Sequence, residues 1–123
     1  TTCDMSTLFK VMGHLVFTND ENVRIDILSL PFVSTVNDAL DGINYRLLVT
    51  CAYRDPEEDR RKGRSGTSYH CQGRALDLST RDLDGRLRRD IVLRLMNAGL
   101  TVGIYKTFIH VDNRENPILF YGE

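Results

Sequence analysis

Apolar positions recur at helical spacing in three parts of the chain. Between Asp4 and about Phe17 they repeat every three or four residues, which predicts a first helix. A second segment opens at Pro31, keeps one apolar face and ends at Gly42. The stripe from Asp84 to about Ala98 is the clearest, and Gly99 follows it where a helix C-cap favours glycine. The spacing therefore predicts three helices.

Other segments combine β-branched, aromatic and aliphatic residues between turn residues, a pattern typical of strands. In RALDLST, residues 74–80, alternation with a period of two directs Leu76 and Leu78 to the core and leaves Asp77 on the opposite face. The remaining predicted strands are YRLLVTCAY (Tyr45 to Tyr53, predicted to be buried), TVGIYK (101–106), FIHVDNR (108–114) and ILFYG (118–122).

These helices and strands do not alternate as they would in a doubly wound parallel sheet. The pattern favours an α+β fold, a small and mainly antiparallel sheet flanked by helices. With 123 residues, 41% hydrophobic and 27% charged, the chain is expected to form one domain over residues 1–123 and to bury a core without help. A metal ion, if one binds, is therefore predicted to be functional rather than structural.

Charge and hydropathy exclude several classes of function. The net charge of -1 provides no overall field that would attract nucleic acid or an anionic membrane surface. No apolar run approaches the roughly 20 residues that span a bilayer, and TTCDMSTLFK lacks a basic segment followed by a hydrophobic one. We expect a soluble monomer, with its localisation left open because the chain does not begin with methionine.

The three cysteines, Cys3, Cys51 and Cys71, are odd in number and show no CxxC spacing. This pattern indicates neither a disulfide framework nor a thiolate zinc cluster, and at least one cysteine is expected to be a free thiol. Cys71 is expected to pack rather than to bind metal, with pairing to Cys51 as the alternative. The segment RDPEEDRRKGRSGTS, residues 54–68, predicts a surface loop. Its basic cluster is expected to be solvated because acidic residues are interleaved with it, and it consists of Arg60, Arg61, Lys62 and Arg64.

Two of the three histidines lie in segments that suit a metal site. His70 belongs to SYHCQGRALD, and His110 lies on a predicted strand whose polar face it shares with Asp112. Together with Asp77 they offer two imidazoles and one carboxylate, a donor set that suits zinc and leaves a fourth position for water. The sequence therefore predicts a zinc cleft on one face of the sheet.

Three segments, in this order along the chain, carry a resemblance to a known family. VTCAYRDPEEDRR is similar to the family's "SGYRSP" stretch, SYHCQGRALD matches its SxHxxGxAxD pattern, and GIYKTFIHVDNR resembles its closing segment with HxD. The family is the M15 peptidases, zinc D-alanyl-D-alanine peptidases and phage endolysins, whose fold is related to that of hedgehog signalling domains. The resemblance extends from about Leu47 to Arg114.

The resemblance implies a zinc-dependent peptidoglycan hydrolase, either a D,D-carboxypeptidase or an endopeptidase, that acts on the cell wall and is encoded by a phage or virus. It implies one zinc ion held by His70, Asp77 and His110. Arg54 corresponds to the arginine that the family places near the substrate, where a guanidinium can hold a carboxylate or a developing oxyanion. The residues expected to bind substrate are Tyr53, Arg54 and Ser68. For Tyr53, Tyr69 and Tyr105, the alternatives are a place in the wall of the cleft and a place in the core or at the rim.

One position departs from the family pattern. Many members carry a carboxylate three residues before the last histidine as general base, and this chain has Thr107 there. Asp112, on the same strand face as His110, is the expected replacement, either as base or as the acceptor that orients the histidine. A zinc-bearing binding module without hydrolysis, or a structural virion component without metal, are the alternatives.

Overall fold

Seven strands form one mixed, mostly antiparallel sheet in the computed structural model, which describes residues 9–18 and 27–122. Along the sheet their order is β1-β2-β3-β4-β6-β5-β7, with parallel pairing only for β2 with β3 and β5 with β7 within the described residues. The α+β prediction is confirmed. The strands are β1 Phe9–Met12, β2 Leu15–Thr18, β3 Leu47–Cys51, β4 Ala75–Ser79, β5 Thr101–Ile104, β6 Phe108–Asp112 and β7 Leu119–Tyr121.

Two of the helices were predicted from periodicity, and both are present. Helix α1, Leu30–Ala39, begins after Ser29, whose hydroxyl accepts a hydrogen bond from the Phe32 N–H. The other predicted helix is Gly85–Asn97, numbered α3 because a short helix precedes it, and Asp84 caps its N-terminus. At its end Gly99 adopts a φ of 82°. The Gly99 and Leu100 N–H groups bond back to carbonyls of the last turn, the arrangement of a Schellman motif.

The hydrophobic core lies on one face of the sheet. Leu76 and Leu78 of β4 are fully buried there, as period-two alternation predicted, and Asp77 points to the other face. Strand β6 repeats this pattern, so its aliphatic residues also enter the core. Helices α1 and α3 contact each other and cover this face. The opposite face is therefore left for the polar residues of the central strands.

The predicted first helix is wrong over the described part of its range; residues 4–8 lie outside the described residues. Strands β1 and β2 form an antiparallel hairpin in which Met12 pairs with Leu15. The two residues between them include Gly13 at a φ of 63°, a conformation that suits a two-residue hairpin turn. Leu15 and Phe17 are buried and alternate with less buried neighbours. Apolar spacing over this short stretch fits both periods. Gly13 permits the hairpin turn, and pairing of β2 with β3 joins the hairpin to the sheet.

Two further predictions need correction. The segment 54–68 contains a short helix, α2 Pro56–Arg61, capped by Asp55. The strand predicted over Tyr45–Tyr53 is shorter and only one of its faces is buried, since Leu48 is 40% exposed. A single domain over the whole chain stays a prediction. Among the described residues, no helix has the length and apolar character to cross a membrane.

Candidate metal centre

The strand register aligns four residues in one row across the polar face of the sheet. Asp77 pairs with His110 on one side and with Cys51 on the other, and His110 pairs in turn with Gly103. Directly paired residues in antiparallel strands project from the same face. Three side chains with metal-binding atoms are thereby brought together from strands that lie far apart in sequence.

Cys51 reaches this row through an irregularity in β3. Val49 pairs with Leu78 in the core, and Cys51 would share its face in a regular strand. The register shifts by one residue between them, and the extra residue turns Cys51 to the side of Asp77. Alternation along the sequence contains no signal of this bulge, so sequence reasoning did not identify Cys51 as a site residue.

His70 comes from a 3₁₀ helix, Tyr69–Gln72, which ends at Gly73. Gly73 has a φ of 69°, and a Cβ built there would lie 2.4 Å from the Ile27 carbonyl oxygen, so only glycine fits. The ring of His70 is buried and its Nδ1–H donates to the Ala52 carbonyl at 3.0 Å. Its Nε2 lies 3.2 Å from Asp77 Oδ1.

In His110 the two ring nitrogens have the opposite roles to those in His70. Its Nε2–H donates to Asp112 Oδ2 at 2.7 Å, and its Nδ1 lies 3.2 Å from the same Asp77 Oδ1. Each imidazole thus gives one nitrogen to a protein acceptor and directs the other to Asp77. This is the usual arrangement of metal-binding histidines, whose second N–H is held by a carbonyl or a carboxylate.

The donor set fits zinc. A carboxylate oxygen only accepts hydrogen bonds, so a proton or a metal ion must lie between Asp77 and each facing nitrogen. Zinc bound at about 2.0–2.1 Å by two ligands at the tetrahedral angle would place them ~3.3 Å apart. The observed separation is 3.2 Å for both His70 and His110.

The electrostatics of the site favour a bound positive charge. Burial disfavours the charged imidazole, but hydrogen bonds and charge interactions with Asp77 and Cys51 raise the pKa of His70 to about 10. The pKa of His110 is also raised, against burial, by Asp112 and Asp77. Burial opposes ionisation of Asp77, yet the two histidines hold its pKa well below the ordinary range.

The ligand atoms of Cys51, His70 and Asp77 lie within 4.8 Å of one another and could hold a metal ion. This group differs by one residue from the predicted set, since it contains Cys51 and omits His110. The Cys51 Sγ lies 3.7 Å from His70 Nδ1, the nitrogen that donates to a backbone carbonyl. His110 as a ligand stays a prediction, which its Nδ1 contact with Asp77 makes sterically reasonable.

Asp112 is fully buried and has four hydrogen-bond donors around it. Besides His110, its carboxylate accepts from the Arg114 side chain at 2.9 and 2.6 Å and from the Arg114 backbone N–H at 3.1 Å. Burial opposes ionisation, but these donors keep the pKa of Asp112 well below its ordinary range. A carboxylate so enclosed is suited to orienting His110, and poorly suited to taking a proton from water.

Arg54 lies in the cleft, as the resemblance implies, and is buried. Its Nη1 donates to Asp59 Oδ1 at 2.9 Å, and its Nη2 lies 3.6 Å from the Cys51 Sγ. Asp59 also accepts from the Ser68 hydroxyl and from the Gly66 N–H, each at 2.9 Å. Asp59 is therefore buried although its basic neighbours in sequence are exposed, and it anchors the segment that carries Arg54 and Ser68.

The residues around this site enclose a cleft of about 230 Å³. Ser68, Tyr69 and Tyr105 line it, whereas Tyr53 is half-buried and its role in substrate binding stays a prediction. Asp77 is the only carboxylate among the described residues that line the cleft. Lining residues that sequence reasoning did not single out are Arg64, Phe108, Arg114 and Phe120.

The side wall of the cleft is aromatic. Tyr105 and Phe108 stack with ring centroids 4.3 Å apart, and Phe120 meets the Tyr105 ring edge-on. Gly103 makes room for Phe120, because a Cβ built there would lie 2.3 Å from its Cζ. Thr107, at the position of the family's carboxylate, is half-buried and its carbonyl accepts from the Thr80 N–H.

Comparison with known proteins adds one finding. The family model described as Peptidase M15 matches residues 8–112, nearly the whole chain. No curated protein and no solved structure shows significant similarity to the chain. The matched range contains the 3₁₀ helix of His70 and the strands of Cys51, Asp77 and His110.

Proposed function

We propose that this chain, which belongs to the peptidase M15 family, is a zinc-dependent peptidase that hydrolyses an amide bond in peptidoglycan. Its substrates are stem peptides or their cross-links, and its action is that of a D,D-carboxypeptidase or an endopeptidase on the cell wall. The observation that carries the proposal is the pair of imidazoles whose free nitrogens both face one oxygen of Asp77. Family membership supplies the reaction class, and the site supplies the metal ligands.

His70, Asp77 and His110 would hold one zinc ion through two nitrogens and one oxygen. When bound, zinc lowers the pKa of water and polarises a carbonyl group, which is the chemistry that amide hydrolysis requires. Ala52 and Asp112 accept the second N–H of the two histidines, so both rings are already oriented. This preorganisation reduces the conformational cost of metal binding.

Arg54 is proposed to hold the substrate on the polar side of the cleft. Asp59 fixes its guanidinium by an ion pair that is almost fully buried. A rigid, partly desolvated guanidinium is suited to bind a stem-peptide carboxylate or the oxygen that becomes anionic during hydrolysis. Ser68 bonds to the same Asp59, so its proposed contact with substrate would share this anchor.

The aromatic wall of Tyr105, Phe108 and Phe120 is proposed to contact the aliphatic part of the substrate and to exclude water on that side. Stacked rings offer a flat apolar surface at little conformational cost. The cleft thus combines guanidinium groups with aromatic rings. Such a surface suits a short peptide that carries both a carboxylate and methyl side chains.

A second candidate is a zinc-bearing binding module of the same fold that does not hydrolyse peptides. The observation that favours it is the absence of a second carboxylate among the described residues that line the cleft. Thr107 cannot serve as general base, and Asp112 is enclosed by hydrogen-bond donors. Both candidates require zinc, and they differ in turnover.

The test combines metal content with product analysis. Purified protein and the His110→Ala variant are assayed for bound zinc, and peptidoglycan treated with each is examined by mass spectrometry for new stem-peptide termini. About one zinc per chain, lost in the variant, together with new termini would support the peptidase and identify the bond. Zinc without new termini would refute hydrolysis and favour the binding module, and no zinc would refute both.

A further inference from the structure

We infer that Arg114 is a positioning residue for the metal centre. It fixes the carboxylate of Asp112, and through it the ring of His110, in the orientation that directs Nδ1 to the metal. The inference rests on the proposed function, because it takes His110 to be a zinc ligand. Arg114 is neither a fixed position of the sequence motifs nor a predicted metal ligand, so this role is a new assignment.

The side chain of Arg114 makes a bidentate contact with the carboxylate of Asp112. The Nε of Arg114 donates to Oδ1 at 2.9 Å and its Nη2 to Oδ2 at 2.6 Å, so each carboxylate oxygen is held by a separate donor. The backbone N–H of Arg114 adds a third bond to Oδ1. A fork of this kind fixes the rotation of the carboxylate as well as its position.

The fixed carboxylate then determines the ring of His110. Oδ2 receives both Nη2 of Arg114 and Nε2 of His110, the latter at 2.7 Å. The backbone places Asp112 two residues after His110 on the same face of β6, so the carboxylate lies beside the ring. With Nε2–H held there, Nδ1 keeps the lone pair that faces Asp77.

Arg114 is itself clamped between two rings of the cleft wall. Its guanidinium carbon lies 5.2 Å from the centroid of Tyr69 and 5.8 Å from that of Phe120. Contacts of a guanidinium with aromatic rings at such distances are favourable. The side chain therefore has three anchors, namely the carboxylate and two rings, and loses little freedom when His110 binds a metal.

The chain offers a matched control in Arg74. Its guanidinium lies over the same Tyr69 ring at 5.1 Å, yet its hydrogen bonds go to the side chain and carbonyl of Asn113 and to Gln72. Arg74→Ala therefore removes an arginine from the same ring without touching Asp112. A change that follows from lost charge or lost stacking alone would appear in both variants.

The experiment measures zinc affinity by competition with a chromophoric chelator, in wild type, Arg114→Ala, Arg114→Lys and Arg74→Ala. Loss of the acceptor behind a metal-bound histidine typically lowers metal affinity ~10- to 100-fold. Both Arg114 variants keep Asp112 and the backbone N–H that bonds to it, so we expect a loss near the lower end of this range. The lysine variant keeps the positive charge beside the buried carboxylate, so it remains informative where the alanine variant does not fold. Arg74→Ala should lower zinc affinity much less than either Arg114 variant, because Arg74 bonds to Asn113 and Gln72 and makes no hydrogen bond to Asp112.

A spectroscopic readout separates positioning from general stability. In zinc-loaded wild type and Arg74→Ala, nuclear magnetic resonance should show a slowly exchanging Nε2–H proton of His110. In Arg114→Lys this signal should broaden or vanish, because one flexible donor cannot hold both carboxylate oxygens. A protected Nε2–H signal and wild-type zinc affinity in Arg114→Lys would overturn the inference.

His110→Ala distinguishes failure of the inference from failure of the proposed function. If His110→Ala binds zinc as wild type does, His110 is not a ligand, and the proposed site and the positioning role are both refuted. If His110→Ala loses zinc while both Arg114 variants retain wild-type affinity, only the positioning role is refuted. Loss of affinity in His110→Ala and Arg114→Lys, with Arg74→Ala unchanged, supports both.

Discussion

The carboxylate of Asp59 is predicted to be the most important single anchor of the cleft segment. It is fully buried and accepts three hydrogen bonds, from Arg54, Ser68 and Gly66. In Asp59→Asn an NH2 group, which can only donate hydrogen bonds, replaces one carboxylate oxygen and would face another donor. The nearly buried Arg54 would also lose its counter-charge. Breaking a buried ion pair on one side costs about 3–5 kcal/mol.

The assay is thermal and urea unfolding of the metal-free protein, followed by circular dichroism. An unfolding entropy of ~2.1 cal/mol/K per residue gives about 0.26 kcal/mol/K for this chain, so Tm should fall by roughly 12–19 °C. The control is the adjacent Glu58→Gln, because Glu58 pairs at 3.0 Å with Arg61, whose side chain is 71% exposed. Such a surface pair contributes about 0–1 kcal/mol, or at most ~4 °C.

Equal, small decreases in Tm in Asp59→Asn and Glu58→Gln would refute the reasoning, since burial of the ion pair would then have no energetic consequence.

The dependence of stability on pH in the acid range gives a second check. Burial opposes ionisation, but bonds from Arg54, Ser68 and Gly66 lower the pKa of Asp59 below its ordinary value. Its contribution is therefore fully present above the unfolded-state pKa of about 3.9 and is lost as pH falls through the lower folded-state pKa. The difference between wild type and Asp59→Asn should shrink over that range.

Three further predictions concern the metal centre and its wall. If His110 is a ligand and Cys51 only a neighbour, His110→Ala should lower zinc affinity more than ~100-fold, while Cys51→Ser changes it only a few-fold. Chelator competition measures both affinities, and the reverse order would identify Cys51 as the ligand instead. Because the pKa of His70 is raised to about 10 and that of His110 is also raised in the metal-free protein, zinc must displace protons there, and its affinity should rise with pH between about pH 7 and 9. A flat pH profile would contradict this competition. Gly103→Ala forces aside the ring packed against it and should cost about 1–3 kcal/mol in urea unfolding, whereas Gly85→Ala, where nothing lies within 4 Å of the added carbon, should be close to neutral.

Much of the local structure could be predicted because it follows from short-range rules. The stripe and glycine cap of Gly85–Asn97 predicted α3 within one residue at each end. Alternation in β4 and β6 predicted which side chains enter the core and which face the cleft. The donor chemistry of His70, Asp77 and His110 and the family resemblance also indicated one shared site, and in the structure both histidines contact Asp77.

Other features depend on contacts between distant parts of the chain, and local patterns do not record them. Cys51 faces Asp77 because of a bulge that appears only when β3 pairs with β4. Asp59 is indistinguishable in sequence from the solvated Glu58, and it is buried because the segment before His70 folds over it. The apolar spacing of the β1–β2 region fits a helix as well as a hairpin, and pairing of β2 with β3 favours the hairpin.

The sequence by itself determined the fold class, the faces of the central strands and the chemical types of the candidate ligands, since periodicity and side-chain chemistry are properties of short segments. Tertiary structure alone decided the row that joins Cys51, Asp77 and His110 and the burial of Asp59. Strand register and burial arise from long-range pairing and packing, whose free energy is shared among many residues and cannot be assigned to any one segment.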